Sequence, residues 1–421
     1  MTALDARKLP YDASAASSWN LELVGYHDLE DRGALKLGLY TVGDRWYLFA
    51  GSLWHSGLSI LDVTTPTQPE LVRWLEGPAD TWTFQLQVAD GKLIWGFEHP
   101  SPGWGKELSE SSAEGFRVYE VSDPDNPALL GQWSTGTDRG THRNFYDGGR
   151  YVHCSASAPG FDGHIYRIVD IADPGAPVEA GRWWLPDQWL AGAVDQSQTG
   201  SMGLHGPAYV DGDRAYLSYT DSGMVILDVS DLSLPRLVSR LDMGSAIGSA
   251  LGVHSVIPLT SRKLAVINSE SLKEGGSRHE PLNYALIVDI ADEAHPRVIS
   301  WLPVPVPPRG SPYASFHEKP GRFGPHNQHH WQHHPDLLHR EDRVYLTYFN
   351  AGLRVFDISN AYVPREVGYF VPPDPTTRIG LLPTQLVTQF EDVLVDRRGY
   401  IYTTDKNWGI HILRETSTEG D

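Results

Sequence analysis

Four histidines occupy matching positions at the starts of four consecutive predicted repeats, and imidazoles placed in this way can share a metal ion. Three of them precede, by nine residues, the basic residue that ends a hairpin turn, and the fourth precedes such a residue by eight. A β-bulge can absorb a difference of one residue. Neutral imidazole nitrogen is a good ligand for Fe, Cu, Zn, Ni or Mn. The residues predicted to form this metal centre are His142, His205, His254 and His334.

The fourth of these residues comes from a tract with several histidines, GPHNQHHWQHHPDLLHR, which starts at residue 324. The nine-residue spacing favours His334 within this tract, with His333 as the next choice. His326 is a further candidate because its Gly-Pro-His context is similar to Gly-Leu-His at His205 and Gly-Val-His at His254. The alternative to a metal centre is a set of hydrogen-bonded histidines that line a channel.

Residues near other predicted strand ends supply the remaining candidates for the site. Long segments with aromatic residues connect the strands on one face, and long irregular loops in a compact fold are usually functional. We therefore expect a lid over a substrate pocket. Candidate catalytic groups are Glu391, His99 and His153, of which Glu391 is also a candidate ligand or orienting acceptor. Carboxylates expected to orient the ligand histidines are Glu270 and Glu98. Candidate substrate contacts are Trp104, Trp189, Trp331 and His55.

The elements that must position these residues form a repeat. Six times, an apolar run reaches an acidic residue and is followed by a polar turn and a second apolar run, as in ILDVTTPTQPELVRWL and IVDIADPGAPVEAGRW. Successive acidic positions are 50 to 68 residues apart, a length that suits four antiparallel strands with their loops. Alternating apolar residues around a Gly/Asp turn, as in VDGDRAYLSY, predict a hairpin before each motif. The acidic residues are Asp62, Glu120, Asp170, Asp228, Asp289 and Asp357.

The two ends of the chain complement each other. Residues 393–413 contain three strands of the repeat without a fourth, whereas residues 21–29 match a fourth strand that stands alone. Six complete units and one split unit predict an all-β, seven-bladed β-propeller in which the N-terminal strand closes the last blade and removes open sheet edges. An open solenoid is the alternative, but it does not need complementary half-units. The predicted boundaries are an extension at 1–20, one propeller at 21–415 and a tail at 416–421.

Three resemblances to known proteins accompany this repeat. Its Asp-Val-Ser-Asp-Pro type of motif resembles the LVIVD repeat of a group of bacterial β-propeller proteins over about residues 20–415, which implies the fold and no catalytic residue. Four axial histidines on a propeller are similar in layout to carotenoid cleavage oxygenases, which hold non-heme Fe(II) and cleave alkene bonds with O₂. RVFDISN at 354–360 is similar to a strand end of the selenium-binding protein and methanethiol oxidase group, whose cysteine-rich motifs this chain lacks.

Composition restricts the partners and the location of the protein. The formal net charge of −19 argues against nucleic acid, because phosphate binding requires concentrated positive charge. No apolar stretch approaches the ~18 residues of a membrane span, and the N-terminus lacks the apolar segment of a secretory signal. Cys154 is the only cysteine, which excludes an intrachain disulfide and favours a reducing, cytoplasmic location.

Together these observations predict an enzyme with one transition-metal ion per chain, with Fe(II) favoured and Zn, Mn or Cu as alternatives. The expected substrate is a small, partly apolar or aromatic organic molecule. The reaction is either that of a non-heme oxygenase or that of a Lewis-acid lyase, hydratase or isomerase. A metal-dependent hydrolase of the lactonase type is a second hypothesis, and a non-catalytic scaffold that binds a protein is a third. The oligomeric state stays open.

Overall fold

Seven four-stranded antiparallel sheets form the described part of the chain, and they make up an all-β, seven-bladed β-propeller. The structure is a computed structural model. It describes residue 9 and residues 11–104, 113–192, 203–243, 251–274 and 283–416. Among these residues, no helix is long and apolar enough to cross a membrane.

The regular elements are short, as is usual for propeller blades. Brief 3₁₀ turns cover Ala13–Ala15, Pro186–Gln188, Thr220–Ser222 and Thr260–Arg262. The strands, in chain order, are β1 (Ser17–Trp19), β2 (Leu21–His27), β3 (Leu37–Val42), β4 (Arg45–Gly51), β5 (Gly57–Asp62), β6 (Glu70–Glu76), β7 (Leu86–Ala89), β8 (Lys92–Phe97), β9 (Gly115–Glu120), β10 (Ala128–Trp133), β11 (Thr141–Phe145), β12 (Tyr151–Ala156), β13 (Ile165–Asp170), β14 (Val178–Trp183), β15 (Tyr209–Asp211), β16 (Arg214–Ser218), β17 (Met224–Asp228), β18 (Arg236–Leu241), β19 (Leu251–Leu259), β20 (Leu264–Glu270), β21 (Ala285–Asp289), β22 (Arg297–Trp301), β23 (Arg343–Thr347), β24 (Leu353–Asp357), β25 (Arg365–Val371), β26 (Phe390–Val395), β27 (Tyr400–Asp405) and β28 (Gly409–Glu415).

Blades 1 to 5 each use four consecutive strands, from β3–β6 in blade 1 to β19–β22 in blade 5. Blade 7 joins β26, β27 and β28 to β2 from the other end of the chain, with Leu23 opposite Leu413. The predicted closure by the N-terminal strand is therefore confirmed. Blade 6 contains β23, β24 and β25, and β1 extends its outer edge.

The innermost part of blade 6 is irregular. The backbone N–H groups of His326 and His329 donate to the carbonyl oxygens of Thr347 and Tyr345 at 2.9 Å each, and Gln328 forms an isolated bridge with Leu346. These bonds place residues 326–329 beside β23, where the other blades have their first strand. A long connection then leads to Arg343, the first residue of β23.

The repeated acidic residue fixes the turn between the third and fourth strands of its blade. Asp170 accepts a hydrogen bond from the N–H of Ala172 at 2.9 Å, and Arg150 donates to the same carboxylate at 2.9 Å. This arginine precedes the second strand, so the pair joins neighbouring strands and lowers the pKa of Asp170. The equivalent ion pairs are Arg45–Asp62, Arg214–Asp228 and Arg343–Asp357.

Apolar side chains from adjacent blades form the cores between the sheets. Between blades 3 and 4, for example, Tyr166 and Ile168 pack with Leu217 and Val225, and all four are buried. This face-to-face packing sets the angle between neighbouring blades. The central ends of the innermost strands are thereby brought together around one axis.

The closure predicts different effects for two N-terminal truncations. A chain that starts at Asn20 loses β1 and the segment before it but keeps β2, and we expect cooperative unfolding with a melting temperature lowered by a few degrees. A chain that starts at Asp28 also loses β2, which exposes the edge of β28 and the apolar core beneath it. We expect this second chain to aggregate or to unfold without cooperativity, as measured by calorimetry and size-exclusion chromatography. Equal behaviour of the two truncations would contradict a structural role for β2.

Candidate functional site

A cavity of about 570 Å³ opens where the innermost strands begin. Its volume lies in the range of small-molecule sites. The walls come from the segments that precede the innermost strands and from the loops after the second strands, which are the connections predicted to carry function. One side of this cavity is rich in histidine and carboxylate, and the other is aromatic.

Each central histidine follows a glycine by two residues, where the chain reaches the propeller axis. Gly140 has φ +80°, and a Cβ atom there would lie 2.3 Å from the carbonyl oxygen of Phe97 in the preceding blade. Gly203 has φ +74°, and its Cβ would lie 2.4 Å from the carbonyl oxygen of His164. Only glycine allows both this backbone conformation and this close approach. The spacing of two residues between glycine and histidine recurs in all four blades; the pairs are Gly140 and His142, Gly203 and His205, Gly252 and His254, and Gly324 and His326.

The four histidines from blades 3 to 6 form an arc. The ring centres of His142 and His205 are 4.4 Å apart, and those of His205 and His254 are 4.6 Å apart. The ring centres of His254 and His326 are 4.7 Å apart. Successive blades therefore present their imidazoles with nearly constant spacing. We call these four residues the histidine arc.

Glu270, the last residue of β20, faces three members of the histidine arc. Its carboxylate oxygens lie 3.8 Å from Nε2 of His205, 3.7 Å from Nε2 of His254 and 3.6 Å from Nε2 of His326. One ligand atom from each of His205, His254 and Glu270 falls within 4.8 Å of the others. Two ring nitrogens and one carboxylate oxygen are therefore close enough together to be ligands of one ion.

Hydrogen bonds fix the tautomers at both ends of the arc. The carboxylate of Glu98 accepts a hydrogen bond from Nδ1 of His142 at 2.6 Å. The carbonyl oxygen of Glu391 accepts one from Nδ1 of His326 at 2.7 Å. Because Nδ1 carries the proton in both rings, Nε2 keeps its lone pair. Metal-binding histidines are commonly oriented in this way.

Burial keeps three imidazoles of the arc uncharged. It holds the pKa values of His205 and His254 well below their usual range, and nearby Arg143 adds to this effect for both. Burial also lowers the pKa of His326 to about 3, although Glu391 opposes the shift. Near neutral pH these rings are therefore in the form that binds metals.

Two cations and two carboxylates are buried together beside His326. Arg322 donates to Glu270 at 2.9 Å and lies 3.5 Å from Glu391, whereas Lys406 donates to Glu391 at 2.6 Å. Burial favours the neutral form of Glu391, but Lys406, Arg322 and His326 outweigh it and lower the pKa of Glu391. Burial raises the pKa of Glu270 despite its contact with Arg322.

Arg143 closes the channel next to the arc. Its guanidinium donates to the carbonyl oxygens of Gly206 at 2.6 Å and His254 at 2.8 Å, and to the side chain of Asn327 at 2.7 Å. These partners belong to three further blades, so the arginine connects four sheets at the axis. The cavity therefore has a polar, closed floor.

The opposite wall of the cavity is apolar. Leu35, Leu53, Trp82 and Phe84 form a buried cluster, against which Trp104 packs. The rings of Trp82 and Phe84 are 5.4 Å apart, and those of Trp82 and Trp104 are 5.8 Å apart in an edge-to-face contact. Aromatic surfaces of this kind bind flat apolar molecules. We call these five residues the aromatic wall.

The cavity brings together many of the residues that the sequence singled out, and the functions assigned to them stay predictions. The members of the predicted site that line the cavity are His142, His205, His254, Glu98, His99, Glu270, Glu391 and Trp104.

The prediction of His334 as the fourth axial histidine is wrong, because His326 occupies that position. His334 lies in the connection before β23, where it contacts the ring of Tyr40 and accepts a hydrogen bond from the N–H of Asp336 at 3.2 Å. The nine-residue spacing fails in blade 6 because its first two strands are joined by a longer connection. The Gly-x-His pattern that His326 shares with His205 and His254 distinguishes it from the other histidines of the tract.

Four other candidates do not line the cavity. His153 is buried in blade 3, with Nδ1 2.6 Å from the hydroxyl of Tyr166. Trp331 stacks on His339 with ring centres 3.9 Å apart. Trp189 is exposed beside Phe161, and His55 is exposed on a turn of blade 1. These residues were chosen because they are histidine or tryptophan, and residue type alone does not determine the direction of a side chain.

Other cavity residues were missed by the sequence analysis. These residues include Arg143, Arg322, Trp82 and Phe84, and the two arginines carry no sequence pattern of their own. His164, which lies parallel to His142 with ring centres 6.1 Å apart, stands outside the predicted register because it precedes a third strand. Only Phe84 and Trp82 follow a recognisable rule, since they occupy the segment before an innermost strand, where blades 3 to 6 carry their histidines.

The fold and the axial cavity define a seven-bladed β-propeller with a histidine-lined pocket. The LVIVD repeat model matches residues 208–243 and 339–371, so this chain carries LVIVD repeats, in blades 4 and 6. The chain is similar in structure to the β-propeller domain of Cps50 (Swd1) from Myceliophteria thermophila, with 9% identity, a TM-score of 0.56 and coverage of 92% of this chain and 97% of that chain. The computationally designed protein Ika8 has 12% identity and a TM-score of 0.47, with coverage of 93% and 98%. No curated protein matches the sequence.

The position of His153 predicts a stability effect without a catalytic one. Burial lowers its pKa to about 4, so below pH ~6.5 the unfolded chain binds a proton that the folded chain does not. This difference removes about 2 kcal/mol of stability between pH 7 and pH 5. In His153→Gln, urea unfolding should show a pH dependence that is weaker by this amount. His295→Gln, at an exposed site, is the control. An unchanged pH dependence in His153→Gln would contradict the buried neutral state.

Proposed function

We propose that this protein is a mononuclear metalloenzyme, an Fe(II)-dependent oxygenase of a small, partly aromatic organic substrate. The observation that carries this proposal is the spacing of the histidine arc. An ion bound about 2.1 Å from a ring nitrogen lies roughly 3.3 Å from the ring centre. Two such ligands at a right angle have ring centres roughly 4.6 Å apart, and two at a tetrahedral angle roughly 5.3 Å apart.

The arc matches the right-angle arrangement. Its three successive spacings are 4.4, 4.6 and 4.7 Å, all of which are nearer to the value for octahedral ligands than to the tetrahedral one. This spacing favours ions such as Fe(II) over the tetrahedral geometry typical of structural Zn²⁺. Four ligands leave two octahedral positions for substrate, water or O₂. The proposed donors are His142, His205, His254 and His326, of which His205 and His254 have ligand atoms within 4.8 Å of each other.

The residues around the arc support this role. Glu98 and the carbonyl group of Glu391 orient the outer imidazoles, and burial keeps the rings neutral. The aromatic wall supplies an apolar surface that excludes water and orients a flat substrate toward the arc. When bound, Fe(II) supplies the one-electron chemistry that dioxygen activation requires.

The first test is metal content. Protein that is produced with added iron and purified anaerobically should hold about one metal ion per chain, as measured by inductively coupled plasma mass spectrometry. His326→Ala and the double variant His205→Ala/His254→Ala should lose the metal, because each removes ligands. His334→Ala is the matched control from the same histidine tract and should keep it. Metal-free wild-type protein, or loss of metal in His334→Ala only, would refute the proposed centre.

Oxygen consumption separates the oxygenase from a Lewis-acid enzyme. Aromatic compounds with an alkene or hydroxyl group should stimulate O₂ uptake by the iron-loaded protein, measured with an oxygen electrode. The same compounds should not be converted by zinc-loaded protein without O₂. Conversion by the zinc form would instead indicate a lyase, hydratase or isomerase.

The aromatic wall gives a prediction that is independent of the metal. We expect Trp82→Ala to weaken the binding of 2-naphthol by about tenfold, since an aromatic pair contributes about 0.5–1.5 kcal/mol. Isothermal titration calorimetry measures this change. Trp331→Ala is the control, because Trp331 stacks on His339 away from the cavity. Equal weakening in both variants would show that 2-naphthol does not bind at the wall.

A further inference from the structure

We infer that Arg322 is a positioning residue that holds Glu270 beside the metal centre and prevents its carboxylate from binding the ion. The inference rests on the function proposed above. It assigns a role to a buried arginine whose two carboxylate partners both adjoin His326.

Glu270 lies close to the arc, but farther from the ring nitrogens than a ligand bound at a right angle to them would lie. Two atoms bound at a right angle to one ion lie roughly 3.0 Å apart. The carboxylate oxygens of Glu270 lie 3.6 to 3.8 Å from three Nε2 atoms of the arc. One oxygen atom can lie opposite at most one of these nitrogens, so Glu270 would have to move closer to the arc to become a fifth octahedral ligand.

Arg322 accounts for this set-back position. Its Nη1 donates to Oε1 of Glu270 at 2.9 Å and to the carbonyl oxygen of Ser271 at 3.1 Å. Its guanidinium lies 4.0 Å from the ring centre of Phe349, and Nη2 lies 3.5 Å from Glu391. A planar guanidinium that is fixed on several sides holds a carboxylate in one orientation better than a flexible ammonium does. The arginine thus holds Glu270 away from the axis.

The restraint would keep the metal centre open. A carboxylate is a strong ligand for Fe(II), and Glu270 would reach the ion after a small side-chain movement if Arg322 were absent. It would then fill a position that O₂ or substrate needs. The arginine therefore keeps a coordination position open, and the protein binds the metal less tightly as a result. Removal of Arg322 should therefore strengthen metal binding. Removal of an arginine that only stabilises the site would weaken it.

Co(II) binding tests the inference without reference to catalysis. The probe is Co(II) added anaerobically to metal-stripped protein, with affinity measured by competition with a chromophoric chelator. Changes in the surroundings of metal ligands alter affinity by about 10- to 100-fold. For Arg322→Gln we expect binding that is at least about tenfold tighter, together with a changed visible absorption spectrum as Glu270 joins the ligands. Arg322→Lys should show a smaller change, because lysine can still pair with Glu270.

Two variants control this experiment. Arg354 is also a buried arginine, with Nη1 3.1 Å from Glu366 and its guanidinium 4.9 Å from the ring of Phe316. Because it lies outside the cavity, Arg354→Gln should affect stability without changing the Co(II) spectrum. The double variant Glu270→Gln/Arg322→Gln should lose the gain in affinity, because an amide is a weaker ligand than a carboxylate.

The outcomes distinguish the two proposals. If wild-type protein binds neither Fe(II) nor Co(II), the metal centre itself is refuted, and the role of Arg322 with it. If wild-type protein binds Co(II) but Arg322→Gln matches Arg354→Gln in affinity and spectrum, only the role of Arg322 is refuted. Weaker binding in Arg322→Gln, or a gain that persists in the double variant, also refutes the restraint on Glu270.

Discussion

The close approach of the innermost strands of blades 3 and 4 to the sheets before them is the constraint on which the site depends. At Gly140 and Gly203 the backbone passes so near a carbonyl oxygen of the blade before it that a Cβ atom would overlap with that oxygen. These contacts fix where each of the two strands starts relative to the propeller axis, and the residue two positions after the glycine faces that axis. Closure of the ring by β2 then sets the rotation between blades. The even spacing of the histidine arc follows from these two conditions, since each histidine repeats the same local geometry on the next blade.

This dependence on local geometry explains how much could be read from the sequence. The blades were predictable because an acidic residue and the polar turn after it recur in six units, and in four of them the acidic residue pairs with an arginine, as Asp170 does with Arg150. Three axial histidines were predictable because their distance from the basic residue of the hairpin turn differs by at most one residue. His334 was chosen wrongly because blade 6 has a longer connection, which spacing alone does not reveal. Residues such as Arg322 reach the cavity from an irregular segment between two blades, and nothing periodic indicates where such a segment lies.

The electrostatics of the cavity differ from those of the whole chain. The protein carries a formal net charge of −19, yet the axis combines neutral imidazoles with buried charges that have hydrogen-bond partners, which for Arg143 are carbonyl oxygens and Asn327. Unpaired buried charges are costly, so Glu391 has Lys406 and Arg322 as partners, while Glu270 shares Arg322. The two carboxylates respond differently: the pKa of Glu391 is lowered by its two cations, whereas burial raises that of Glu270. Glu391 is thus a fixed anion, and Glu270 is the more adaptable of the two.

The division of the cavity into a polar and an aromatic side restricts how a substrate can lie in it. The arc, Glu270 and Glu391 come from blades 3 to 7, whereas Glu98 and the aromatic wall come from blades 1 and 2 and their connections. Phe84 joins the two sides, since its ring centre lies 6.3 Å from that of His142. A flat molecule that packs on Trp82 and Trp104 therefore presents its edge to the histidines, and its polar groups gain most if they also face that side. Substrates would then be selected by the distance between their stacked ring and the bond that reacts, because the rigid sheets on both sides hold the aromatic wall and the arc at a constant separation.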